Sequence, residues 1–255
     1  MAAQGLSLVI ISFNEVDNLS RCIGSVGDLA DEVLIVDSFS TDGTQELARQ
    51  LGATVIERPF EGHREQKQWA ISQAQYDWVL SLDADEALDS DLRKSIKKVK
   101  ANYHSDGYYM NRLNRLNGQW IRYGAWYPDR KMRLFHRDKY QMGGRNPHDR
   151  FDPQPGATTE NLTGDILHYT NDDLSSRVET QNKFSTLAAQ SYYEAGKRGS
   201  LWRLWFKPKT RFLGEYLWKG GWRDGFHGYY IAKTSAQYVF WREAKLLDLC
   251  RKEQL

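Results

Sequence analysis

The sequence predicts an α/β fold, a mostly parallel sheet flanked by helices, followed by a mixed β region and a helical C-terminal extension. Three observations carry this prediction. Short, nearly continuous apolar runs alternate with amphipathic stretches over the first hundred residues; β-like segments then follow Gly107 with no helix between them; and the pattern turns helical from about Asn171. At 255 residues, 40% hydrophobic and 27% charged, the chain is long enough for one substantial α/β domain with an appendage, and its composition is far from that of a disordered segment. The expected division is a ligand-binding and catalytic domain over 1–170 and a helical extension over 171–255.

Residues 6–13, 32–37, 53–57 and 77–83 are brief and rich in β-branched side chains, as strands covered on both faces should be. Between them Leu19, Ile23 and Val26 recur at helical spacing, 44–51 follows a Ser-Thr-Asp-Gly turn, and 65–74 suits a helix. A further helix places Leu92, Ile96 and Val99 on one face behind the cap candidates Asp89 and Ser90. Beyond Gly107, residues 108–116, 119–123 and 131–135 read as β segments joined by Asn/Gly turns, so antiparallel or mixed pairing is expected there. Gly, Pro, Asn and Asp crowd 141–162, which reads as loops before a last short strand over 165–169. Helices are expected over 172–195 and 231–249.

Between Lys197 and Arg223, eight basic residues (Lys197, Arg198, Arg203, Lys207, Lys209, Arg211, Lys219, Arg223) face one acid, Glu215, and Trp202, Trp205, Trp218 and Trp222 are interleaved with them. Such a stretch suits a helix lying on an anionic membrane surface; equally, its aromatics could form the core of a helical cap. No run of about 18 uncharged apolar residues exists to cross a membrane. No export signal is read in the first residues, and Cys22 and Cys250 offer neither a disulfide framework nor a zinc cluster, so a reducing cytoplasm is expected. A net charge of +2 gives no reason to expect nucleic-acid binding.

Ligands of open parallel α/β sheets collect beyond the carboxyl ends of strands. Those ends read Ser12-Phe-Asn-Glu15, Asp37-Ser-Phe-Ser-Thr-Asp42-Gly43 and Asp83-Ala-Asp85-Glu86. Asp83 and Asp85, two apart in extended chain, can project to one side, and their repulsion would be relieved by a divalent cation shared with an anionic ligand such as a diphosphate. Taken alone, Asp-x-Asp is as well explained by a helix cap and a solvated turn. No Gly-rich phosphate loop follows the first strand, and neither G-x-x-x-x-G-K-[ST] nor G-x-G-x-x-G occurs, which disfavours nucleotidylyltransferases, P-loop enzymes and dinucleotide-dependent oxidoreductases.

In combination, Leu8-Val-Ile-Ile-Ser-Phe-Asn-Glu15, Val36-Asp-Ser-Phe-Ser-Thr-Asp-Gly-Thr44 and Leu80-Ser-Leu-Asp-Ala-Asp-Glu86 resemble the GT-A-fold inverting glycosyltransferases of family 2. Within that family the likeness is greatest to enzymes that add a β-linked glucose to a heptose of the lipopolysaccharide inner core. The resemblance implies a GT-A (Rossmann-like) fold, a divalent metal (Mg2+ or Mn2+), a nucleotide-sugar donor such as UDP-glucose, and a lipid-linked saccharide acceptor met peripherally at the inner face of the inner membrane. It also implies roles. Ser12, Asn14, Glu15, Asp37 and Asp83 would bind the nucleotide sugar, with Lys67 and its understudy Arg64. Asp85, Asp83 and His168 would hold the metal, and Asp149 of Pro147-His148-Asp149-Arg150 would be the catalytic base. His148, Arg130 and Trp126 are expected on the acceptor side, although Arg130, with Lys131 and Arg133, could instead offset diphosphate charge or form a solvated strand face. For Asp149 the alternative is an aspartate bracing a turn beside Pro147, and for His168 a packed, hydrogen-bonded strand residue. An inactive nucleotide-binding scaffold is the non-enzymatic alternative.

Overall fold

Residues 5–145, 148–170 and 174–253 are described by the structure, a computed structural model. The chain forms two compact units, Met1–Arg112 with Asp129–Tyr169, and Leu113–Pro128 with Thr170–Leu255. The segment 113–128, which the sequence groups with the first domain, clusters instead with the C-terminal helices, because Leu116 and Ile121 bury against Ile231.

In the first unit β1 (Leu6–Ser12), β2 (Glu32–Asp37), β3 (Thr54–Glu57) and β4 (Trp78–Asp83) pair in parallel in the order β3-β2-β1-β4. Alternate side chains feed two cores: Leu8, Ile10, Ile35, Leu80 and Leu82 enter one, while Val9, Leu34, Val36 and Val79 enter the other. This two-sided burial is why the strands read as unbroken apolar runs. Helices α1 (Val16–Val26), α2 (Thr44–Gln50) and α4 (Ser90–Ala101) bring Leu19, Cys22, Ala48, Leu92 and Ile96 to the first core. On the other side α3 (His63–Ser72) contributes Ala70.

The sheet continues antiparallel. Past β4 come β8 (Asp129–His136), β6 (Gly107–Leu116), β11 (Thr159–His168) and the short β5 (Glu86–Leu88), with β7 (Gln119–Trp120) attached to β6. Residues 141–162 are only in part the expected loops, which the structure shows at 154–158. They hold the hairpin β9 (Tyr140–Arg145) and β10 (His148–Pro153), and the first part of β11. Tyr140, Met142 and Phe151 are buried in the second core, with the Phe151 ring 4.5 Å from that of Phe135. The glycines read as loop punctuation serve close packing, since a Cβ on Gly143 would sit 1.6 Å from an Asp152 carboxylate oxygen.

Asp89 caps α4, accepting from the backbone N–H of Asp91 (3.1 Å) and Leu92 (2.7 Å), and its second oxygen accepts from Asp165 N–H (3.0 Å) in β11. At Gly164 the backbone takes φ +103°, and a Cβ there would lie 2.1 Å from Leu92 N. Gly164→Ala therefore combines backbone strain with a backbone clash that no side-chain rotation relieves, and should cost about 2–4 kcal/mol of stability by denaturant unfolding.

The second unit contains α5 (Leu174–Glu194), α6 (Leu201–Leu213), a π-helical turn over Gly214–Trp218 and the long α7 (Gly225–Lys252). Helix α7 packs against α5 through Ala189, Leu246 and Cys250. Glu243, fully buried on α7, is neutralised by Lys207 (2.9 Å) and Arg242 (2.9 Å). Asp224, just before α7, accepts from the N–H groups of Arg122 (3.1 Å) and Tyr123 (2.8 Å), which ties the 113–128 segment to the helices.

Candidate functional site

A cavity of about 950 Å³ opens in the first unit at the carboxyl ends of the parallel strands. Ser12, Phe13 and Glu15 line it from the end of β1, Ser38 from the end of β2, and Asp83, Ala84 and Asp85 from the tip of β4. β6, β8 and β10 also line it, supplying Tyr109, Arg112, Arg130, Arg133 and Arg150 among others. β8 reaches the cavity because it runs antiparallel to β4 with Leu134 opposite Leu80, so residues preceding Leu134 lie toward and past the tip of β4.

The β4 tip is a tight turn. Glu86, fully buried, closes it by accepting from Asp83 N–H (3.0 Å) and directs its other oxygen to Arg133 (2.7 Å). β11 pairs antiparallel with β5, His168 opposite Glu86, and Tyr169 N–H donates to the Asp85 carbonyl (2.9 Å). That pairing brings His168 Nε2 to 3.1 Å from Asp85 Oδ2 across 83 residues of sequence.

Asp83 and Asp85 take different protein partners. Asp83 Oδ1 is 2.8 Å from Lys67 Nζ and its Oδ2 2.7 Å from Arg133 Nη2. Both cations are buried, so in this weakly screened setting the carboxylate turns to them. Partial burial alone would raise the Asp83 carboxyl, but Arg133 and then Lys67 hold it well below the usual carboxylate range. Arg133 is pushed up in turn: burial opposes its charge, and Asp83 and Glu86 more than offset that. Arg133 Nε has no hydrogen-bond partner among the described residues, a spare donor on a side chain that lines the cavity. Arg112 extends the alternation, 3.5 Å from Glu86 and 2.9 Å from Asp129, and Asp129 also meets Lys131 at 3.1 Å.

Asp37 is fully buried, and its carboxylate accepts from Ser12 Oγ (2.7 Å), Ser40 N–H (2.8 Å), Ser40 Oγ (2.5 Å) and Gln45 Nε2 (2.7 Å). It braces the turn after β2, and Ser38 rather than Asp37 forms the cavity wall. Asn14, at φ +55°, accepts from Thr41 N–H (2.9 Å) and so couples the β1 and β2 loops. Glu15 faces the cavity with its carboxyl raised, chiefly by burial, against a lowering hydrogen bond from Asn18, with Asp85, Asp42 and Asp83 adding repulsion. Of the helix α3 candidates Lys67 lines the cavity and Arg64 does not; His63 and, just before the helix, Phe60 do. Trp126 lies in the second unit, half-buried against Leu116, Ile121 and Ile231. The backbone of His148 and Asp149 pairs in the β9–β10 hairpin, but their side chains lie outside the described residues.

Sequence reasoning missed Glu86 as a counter-ion and Arg112 as its second partner. For Arg133 the signal was present, a basic residue in the apolar run Met132-Arg133-Leu134-Phe135, but reading it needed the burial of its strand.

Among the described residues no three His, Cys, Asp or Glu side chains converge to hold a metal. Asp85 with His168 is nevertheless a fitting half-site for a metal such as Mn2+, which accepts a carboxylate and an imidazole, with ligand phosphates and water able to complete the shell.

A sequence profile of glycosyl transferase family 2 matches residues 7–155. The lipopolysaccharide core biosynthesis glycosyltransferase LpsC of Rhizobium meliloti is 34% identical over 94% of this chain and 91% of its own length. An uncharacterized glycosyltransferase of Rickettsia prowazekii is 31% identical over 98% of this chain and 89% of its own. Among solved structures, the mannosyltransferase PcManGT of Pyrobaculum calidifontis, in complex with GDP-Man and Mn2+, superposes with a TM-score of 0.54 at 14% identity, covering 97% of this chain and 88% of that one, a likeness of fold.

Proposed function

The chain belongs to glycosyl transferase family 2 and has a GT-A fold, and on that premise we propose that it transfers a hexose, glucose from UDP-glucose, with inversion to a heptose of the lipopolysaccharide inner core or a similar lipid-linked saccharide. The observation that carries the donor half is the meeting of Asp85 and His168 at 3.1 Å on the wall of a cavity at the strand ends, beside the buried cations Lys67 and Arg133. The acceptor half rests on the likeness to LpsC, and glucose on the resemblance of the motifs alone.

Asp85 and His168 would hold a divalent metal, which when bound supplies Lewis-acid neutralisation of the donor diphosphate. Lys67 and Arg133 fix Asp83 and keep it ionised at neutral pH, so the tip of β4 presents a rigid carboxylate rather than a titrating one. The hydrogen bonds of Asp37 and Asn14 hold the nucleotide-side loops in one arrangement, which lowers the entropy lost on binding. Asp149 of β10 is assigned as the base: inversion in one displacement needs a carboxylate at the attacking hydroxyl, opposite the leaving group, to take its proton. Its strand neighbours Arg150 and Phe151 line the cavity.

Thermal unfolding with a panel of nucleotide sugars and Mn2+ tests the donor assignment. UDP-glucose at about a hundredfold excess over its Kd should add roughly 2–3 kcal/mol. Stabilisation by no member of the panel overturns the reading.

The second unit supports association with an anionic membrane. No described helix is long and apolar enough to cross a bilayer. Yet α6 has no buried residue, Trp202, Trp205 and Trp218 are 68%, 65% and 79% exposed, and Arg203, Lys207, Lys209 and Arg211 share the helix with the first two. These tryptophans are therefore not core. Replacing Trp202 and Trp205 together with alanine should weaken sedimentation with phosphatidylglycerol-containing vesicles roughly tenfold or more; retention equal to wild type refutes the membrane face.

A further inference from the structure

Helix α1 carries Asn18, Arg21, Cys22 and Ser25 three and four residues apart, a spacing that puts them on one helical face. Each of them reaches the chain around the Asp85–His168 half-site. Ser25 Oγ accepts from Leu88 N–H at 2.9 Å, and Cys22 Sγ donates to the Asp83 carbonyl at 3.6 Å, so α1 ties down the β4–β5 segment before and after Asp85. Asn18 Nδ2 donates to the Glu15 carboxylate at 2.8 Å, and Glu15 lines the cavity. Arg21 joins the two groups of contacts. Its Nη2 donates to Asn18 Oδ1, and its guanidinium lies over the Tyr169 ring, 3.7 Å from the centroid. Tyr169 directly follows His168, and its N–H holds the Asp85 carbonyl at 2.9 Å.

Arg21 is not among the residues that line the cavity, so it acts on a ligand only through its neighbours. Asn18 and the Tyr169 ring are both uncharged, so neither contact serves to neutralise an acid. What the flat guanidinium does is fix the plane and place of the Tyr169 ring. Through that ring it fixes the backbone that carries His168 and bonds Asp85. A half-site with only two protein ligands has little else to define its geometry, and outer partners of this kind set how well the ligands are aimed. We propose that Arg21 is a positioning residue for the Asp85–His168 half-site and acts through the Tyr169 ring. This rests on the metal-dependent transferase reading and adds to it a residue that touches neither metal nor donor.

Charge and position give opposite signs for the same substitution. A cation near a metal site repels Mn2+, so removing Arg21 would tighten metal binding if charge were its only role. If Arg21 positions the ligands, its removal loosens binding. Calorimetric titration of Mn2+ in the presence of UDP, on the full chain, separates the two. Arg21→Met and Tyr169→Leu should each raise the Kd for Mn2+ about tenfold, the scale on which outer partners of metal ligands act. Combining them should add little, because both remove one contact. Arg21→Lys keeps the charge without the flat stack and should fall between wild type and Arg21→Met. UDP binding in EDTA should not weaken in any of the variants. The proposal is overturned by Mn2+ binding that is unchanged or tighter in Arg21→Met, or by an equal loss of UDP affinity in EDTA, which reports a general collapse of the site. Wild type that binds no Mn2+ overturns it together with the half-site. If Mn2+ binding weakens as expected while no nucleotide sugar is consumed, the transferase reading fails and the positioning role stands.

Discussion

Asp85→Asn is expected to lower transfer by roughly 10²–10³-fold, the scale on which one preorganised charge contact to a developing anion acts. Asparagine keeps the size of the side chain and a hydrogen-bonding oxygen for His168, so the variant isolates the charge. The Asp85 side chain is 29% exposed at a turn, and its backbone carbonyl, which accepts from Tyr169, is unaffected by the change. Its unfolding midpoint should therefore stay within a few degrees of wild type. The proposed metal half-site also requires that the Mn2+ concentration giving half-maximal rate rise, because one of two protein ligands is weakened. Transfer within a few fold of wild type under saturating Mn2+ would refute both the half-site and the donor assignment.

Arg133→Met should destabilise the first unit by about 3–5 kcal/mol, because it strands a charge in the interior. Glu86 is fully buried and depends on Arg133 at 2.7 Å, with Arg112 more distant at 3.5 Å. Methionine fills similar volume, so the loss reports on charge rather than on a cavity. Adding Glu86→Gln should restore part of the stability, since it removes the uncompensated carboxylate; the two changes should couple strongly in a double-mutant cycle. The pH dependence has a definite sign. Asp83 is depressed in the folded chain, so its contribution is fully present above the unfolded carboxyl value of about 3.9 and is lost as the pH falls through the lower folded value. The gap between wild type and Arg133→Met should narrow in acid. A gap of under ~1 kcal/mol at pH 7 would mean that water reaches Glu86 and that the network is not buried as described.

The four parallel strands, their covering helices and the Asp89 cap follow from local pattern, because a strand buried on both faces and a capped amphipathic helix each carry their environment in consecutive residues. The strand ends that line the cavity were legible for the same reason: β1 and β4 place Ser12, Glu15, Asp83 and Asp85 at a carboxyl edge whatever lies beyond it. The hairpin over 140–153 was not legible. Its glycines sit within a strand, Gly143 close against the Asp152 carboxylate and Gly144 at φ +80°, so local composition pointed to loops.

What the sequence by itself determined is the order of the parallel units, the acidic tip of β4 and the aromatic, basic composition of residues 197–223, whose exposure on α6 only the structure decided. Only the tertiary structure decided which partner each charge takes. Asp83 goes to Lys67 and Arg133, Asp85 to His168, and Arg130 to the neutral Tyr109 and Asn161. These pairings join residues 16 to 83 positions apart, most of them through antiparallel strands whose register no local pattern specifies. Charge pairing in a weakly screened interior depends on distances of a few ångströms, and chain folding sets those distances while sequence spacing does not.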